Sequence, residues 1–193
     1  MGFLDTLLGR TKPVQPKLDD LFALPSAAIT LEAGAGFKPT GSGSVCFRQV
    51  EGRSFSDVQK DVQDLLNASS HAEGGLPVEV TKDDFGFTWL VSSRMSDDVA
   101  SLVTDLHAVN STLVDNGFGP QLLCTLVAFR DDQERRLALI YLYKRGSFYP
   151  FAPLSGERRD NALELQAKSI IGSDLKWEPD LARWFPVWGA PGL

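Results

Sequence analysis

Histidine, cysteine and excess positive charge are all scarce in this sequence. Its 193 residues hold two histidines and two cysteines, and 19 Lys and Arg stand against 25 Asp and Glu, for a net charge of −6. The acidic balance excludes nucleic acid as a main partner, because phosphate binding demands a dense Lys/Arg surface. Two cysteines cannot form a disulfide scaffold, and no CxxC pair is present to hold zinc. No apolar run approaches the ~20 residues that a membrane-spanning helix needs. The opening MGFLDTLLGR has neither the basic n-region nor the long apolar h-region of a secretory signal. The expectation is a reducing, cytoplasmic setting, in which Cys46 and Cys124, both in strand-like apolar runs, behave as small buried hydrophobes.

What is present is an ordinary globular composition, 43% apolar and 23% charged, enough for one domain with a real core. Residues 1–17 read as an amphipathic segment followed by a proline-containing tether, 18–176 as a single domain, and 177–193 as a Trp-rich tail packed on it. Within the domain, the patterns predict a turn of helix over Leu18–Ala23 closed by Pro25, a strand at Ala27–Glu32, and a flexible Gly-, Pro- and Ser-rich connection over Gly34–Gly43. A returning strand at Ser44–Val50 follows, then a helix over Ser54–Ser69. A hairpin is expected from Val78–Lys82 and Phe87–Ser93. The longest helix, Ser96–Asn116, should turn Val99, Leu102, Val103, Leu106, Val109 and Leu113 inward. Strands at Gln121–Arg130 and Arg135–Lys144 and a helix at Arg158–Ile171 complete the domain. Paired strands between single helices indicate α+β, an antiparallel sheet built from ββ hairpins with helices on one face and an aromatic C-terminal tail.

Motifs that approach chemistry fall short of it. Gly34-Ala35-Gly36 begins like a dinucleotide fingerprint, but Pro39 occupies the third glycine position and a strand follows where a helix is required. Gly36 and Gly41 have phosphate-loop spacing, yet Ser42-Gly43 replaces the Lys-Ser/Thr that would meet the phosphates. His71-Ala72-Glu73 lacks the P-C-x-x-C partner of zinc deaminases, and His107 sits at the flank of the long helix. Four Asp-Asp pairs, at 19–20, 83–84, 97–98 and 131–132, lie at turns and helix starts without calcium-loop spacing. The residues support no catalytic, cofactor-binding or metal site, and the expectation is that the protein is not an enzyme.

The two ends carry more. Phe3, Leu4, Leu7 and Leu8 share one helical face, which either folds back on the body or meets a membrane or a partner helix. Arg10, Lys12 and Lys17 would favour anionic lipid, so any membrane contact would be peripheral. Three of the four tryptophans, Trp177, Trp184 and Trp188, crowd the last 17 residues. A segment so rich in rings is not a free disordered tail. Either it seals the core, or Trp184, Phe185 and Trp188 form a docking surface, where aromatic residues are enriched.

MGFLDTLLGRTKPVQPKLDDLFALPSAAITLE, GFGPQLLCTLVAF and WEPDLARWFPVWG together resemble the bacterial PspAB family over essentially the whole chain. None of these segments is a catalytic motif. The resemblance implies an accessory role in the phage-shock (envelope-stress) response, beside phage-shock protein A, with the membrane protease HtpX as a further partner and the inner face of the membrane as the place of action. Three readings follow: a non-enzymatic adaptor anchored by Phe3, Leu4, Leu7 and Leu8, a peptide- or chaperone-type binding module, and an enzyme using an unrecognised carboxylate or the Gly34–Gly43 loop.

Overall fold

A computed structural model describes residues 17–48 and 78–193, together with 57, 60, 61, 63 and 64. Among these residues the chain forms a six-stranded antiparallel sheet and three α-helices described along their whole length, besides helical residues at 57, 60, 61, 63 and 64. The helices are α1 (Leu24–Ala35), α2 (Val99–Asp115) and α3 (Asn161–Ile171). The strands are β1 (Lys38–Phe47), β2 (Val78–Lys82), β3 (Thr88–Ser93), β4 (Leu122–Arg130), β5 (Arg136–Leu142) and β6 (Ser147–Phe151), in the order β2-β3-β1-β4-β5-β6. A two-stranded ribbon, β7 (Pro153–Leu154) with β8 (Arg158–Arg159), precedes α3. The α+β expectation holds: the β2–β3 hairpin and the β4–β5–β6 meander are joined through β1, which pairs antiparallel with both β3 and β4.

Two sequence expectations are overturned near the start of the fold. Ala27–Glu32 is part of α1, not a strand. Leu24, Ala27, Ala28 and Leu31 are its buried residues, an i, i+3, i+4, i+7 stripe. Pro25 stands in the first turn of this helix, where its missing N–H costs nothing, so it opens the helix and does not close the one before it. Gly36, left-handed at φ 72°, ends α1 by donating its N–H to Glu32.

The segment from Lys38 onward, expected to be a flexible connection, is the first half of β1 in the middle of the sheet. Its glycines serve packing. The register against β4 jumps between Pro39 and Gly43, and Gly41, at φ 79°, occupies this irregularity. Gly43 lies under α2, where a β-carbon would come 2.7 Å from Leu106 Cδ1.

The remaining elements follow the patterns more closely. All six inward residues expected on the long helix are buried in α2, and Asp98 caps it by accepting from Ser101 N at 3.1 Å. α3 starts three residues later than expected, with Asp160 accepting from Leu163 N at 3.0 Å. The ribbon takes up Arg158 and Arg159 instead. Of the Ser54–Ser69 helix, residues 57, 60, 61, 63 and 64 are helical; its other residues, Gln49, Val50 and His71 lie outside the described residues.

The sheet has a core on each face. The helices cover one, where Val45, Phe47, Val127, Phe129, Leu139 and Tyr141 meet α1, α2 and α3. The opposite face carries Cys46, Cys124, Leu126, Ile140, Tyr149 and Phe151, and the residues after Trp177 cross it. Trp177 forms a parallel bridge to Phe148 at the β6 edge. Glu178 N then donates to Phe148 O, and farther on Arg136 reaches Leu193 O on the same face.

Candidate functional site

That second face holds a pocket of about 520 Å³, within the usual ~300–1,000 Å³ of ligand and side-chain sites. Its position follows from sheet register. Cys46 of β1 stands directly opposite Cys124 of β4, and Trp89 of β3 stands directly opposite Cys46. The three point to one side and form the floor with Tyr149, all buried. The β2–β3 turn brings Phe85 and Phe87 to one wall, and Phe185, Val187 and Trp188 bring another from the chain's last residues.

One carboxylate sets the first wall. Asp83 Oδ1 accepts from the backbone N–H groups of Phe85 and Phe87 at 3.0 and 2.9 Å, and Oδ2 accepts from Trp89 Nε1 at 2.8 Å. These bonds fix the turn and tie it to the floor. The second wall is fixed by Glu178, which is fully buried. Its carboxylate takes Arg145 Nε at 3.1 Å, Ser147 Oγ at 2.9 Å and Asp180 N at 3.2 Å. Burial disfavours its charge, but those hydrogen bonds outweigh burial, and its pKa lies below the ordinary glutamate value. Trp184 Nε1 donates to Glu178 O at 3.1 Å, and Tyr149 Oη donates to Phe185 O at 2.8 Å.

The expected tail residues therefore separate. Trp184 is buried, stacked on Tyr149 with ring centroids 6.3 Å apart, and lies outside the pocket lining. Trp188 lines the pocket and meets Phe151 edge-on at 4.9 Å. Phe185 lines it too and is 57% exposed. Phe3, Leu4, Leu7 and Leu8 lie outside the described residues. Sequence reasoning missed Phe85 and Phe87, which are 58% and 38% exposed. The signal was the Asp-Asp-Phe-Gly-Phe turn: two large apolar side chains where turns are normally polar.

The lining suits binding, with nothing arranged as a nucleophile beside a base. Hydrogen bonding to Cys124, then burial, raise the Cys46 pKa far above the ordinary thiol range, so the thiol stays protonated. Arg145 and Arg183 are engaged by Glu178 and Asp180, whereas Lys144 is exposed with no ion pair among the described residues. His107 lies away from the pocket lining, against Asp19 at 3.1 Å and the Phe22 ring at 4.8 Å. Among the described residues no group of three or more His, Cys, Asp or Glu could hold a metal ion, and no helix is long and apolar enough to cross a membrane.

No curated protein and no solved structure matches the chain. A family profile does, over residues 1–192, and its description is PspA associated protein B. That match spans both the helix-covered domain and the residues that close the pocket, and the chain belongs to the PspAB family.

Proposed function

We propose that this chain is a non-catalytic accessory protein of the phage-shock system that binds PspA through the aromatic pocket of its second sheet face. The observation that carries the reading is the exposed rim of Phe85, Phe87 and Phe185 around a pre-formed apolar floor. Aromatic side chains at a desolvated pocket are the usual energetic centre of an interface, and the family description supplies the partner. The reducing cytoplasm, at the inner face of the membrane, is the place of action.

Co-purification of PspA with the full chain tests this. Phe85→Asp and Phe185→Asp alter exposed side chains, so both variants should fold and both should retain much less PspA. Retention equal to wild type would remove the pocket from the reading. The membrane protease HtpX is the second bait in the same experiment. A peptide- or chaperone-type module would use the same rim. Suppressed aggregation of unrelated unfolded proteins, without PspA capture, would favour that second reading.

A further inference from the structure

The floor of the pocket has its hydrogen bonds already made. Trp89 Nε1 donates to Asp83 at 2.8 Å, Tyr149 Oη donates to Phe185 O at 2.8 Å, and the Cys46 thiol bonds to Cys124. An occupant that carried peptide groups down to this floor would leave their N–H and C=O without partners, which is costly where water is excluded. A hydrocarbon chain brings no such groups and gains from every methylene it buries. A volume of about 520 Å³ has room for one such chain.

The mouth has the opposite character, with donors open and acceptors taken. The charged residues of the lining are Lys144, Arg145, Arg183 and Asp83, three cations to one carboxylate in a chain whose net charge is −6. Both Asp83 oxygens are occupied, by the N–H groups of Phe85, Phe87 and Trp89. Arg145 and Arg183 each meet a carboxylate outside the lining through Nε, at 3.1 and 3.0 Å. Their side chains stay 45% and 46% exposed, which leaves the Nη edge of each fork for another acceptor. Lys144 is exposed with no ion pair among the described residues. A carboxylate head would meet charge-assisted donors here, and a neutral or cationic head would not.

We propose that the pocket binds one detached single-chain anionic amphiphile of the fatty-acid class, with its alkyl chain on the Cys46, Trp89, Cys124 and Tyr149 floor and its carboxylate at Lys144, and that this ligand and a protein partner exclude each other. The exclusion rests on the pocket being the docking surface for PspA. Binding of the amphiphile does not, and it is measured without PspA, so its failure is distinct from failure of the co-purification.

The probes are octanoate, decanoate and dodecanoate, titrated calorimetrically into the full chain at pH 8 and below their micellar concentrations. Affinity should rise about fifteenfold with each two-carbon step. Lys144→Ala, a change at an exposed side chain, should weaken decanoate about fivefold and leave neutral decanol unchanged. Phe185→Asp, at the rim, should weaken both. Affinity that does not depend on chain length, or decanol bound as tightly as decanoate, overturns the proposal. So does a Lys144→Ala chain that binds decanoate like wild type. Sedimentation with phosphatidylglycerol vesicles separates a free chain from a bilayer: vesicle binding without decanoate binding assigns the rim to a lipid surface and overturns it. Saturating decanoate should lower the capture of PspA, and undiminished capture beside tight decanoate binding overturns the exclusion.

Discussion

Asp83 holds Trp89 by a 2.8 Å hydrogen bond from the indole Nε1 to its Oδ2, while its other oxygen takes the backbone of Phe85 and Phe87. One side chain therefore couples the exposed rim of the pocket to its buried floor. Asp83→Ala removes all three acceptor contacts and should destabilise the fold by about 1–3 kcal/mol. Thermal melts read that loss. A red shift of tryptophan emission, as Trp89 gains water, separates loosening of the pocket from a general loss of stability.

The second wall should respond to acid. The Glu178 pKa is lowered in the folded chain, so its contribution is full above the unfolded value of ~4.3 and fades as pH falls through the lower folded value. Glu164 behaves oppositely. Burial raises its pKa against the opposing pull of Arg159, so its contribution is full below the unfolded value and is lost as pH rises through the folded one. Stability measured from pH 3 to 7 should therefore lose an acid-side slope in Glu178→Gln and a slope of opposite sign in Glu164→Gln. Identical profiles for both variants would contradict the assignment.

Trp184 and Phe185 are neighbours with different work. Trp184→Ala empties a buried site and should cost ~3–5 kcal/mol, whereas Phe185→Ala, at 57% exposure, should change stability by under ~0.5 kcal/mol. Chemical denaturation of the two variants checks this directly.

The glycines of β1 make a related point. Gly43→Ala places a methyl 2.7 Å from Leu106 Cδ1 and 3.2 Å from Leu126 O, and should destabilise by roughly 1–3 kcal/mol through overpacking. A segment that served as a flexible connection would accept the change without loss of Tm.

That contrast explains how much of the molecule was legible beforehand. α2 was visible because large aliphatic residues mark its stripe, and the β2–β3 hairpin because its turn chemistry is explicit. α1 was not, because two of its four buried positions are alanines, whose small side chains hide the helical period. Gly41, Gly43 and Pro39 made β1 resemble a loop; only its neighbours, β3, β4 and α2, show why small residues are needed there. Of the site, the tail aromatics were legible by crowding. The floor was not, since Cys46, Trp89 and Cys124 are brought together by strand register across 78 residues of sequence. The Cys46 thiol, protonated and buried, should accordingly resist alkylation in the native chain at pH 8 and react on unfolding.

The most direct test of the account is the affinity of purified PspA for the full chain, compared among wild type, Phe85→Asp/Phe185→Asp, and Leu165→Asp, an exposed apolar residue outside the pocket. Loss of a hot spot of ~2 kcal/mol predicts about 30-fold weaker binding for the pocket variant and no change for Leu165→Asp. Equal affinity for all three chains, or an equal loss in both variants, would contradict it.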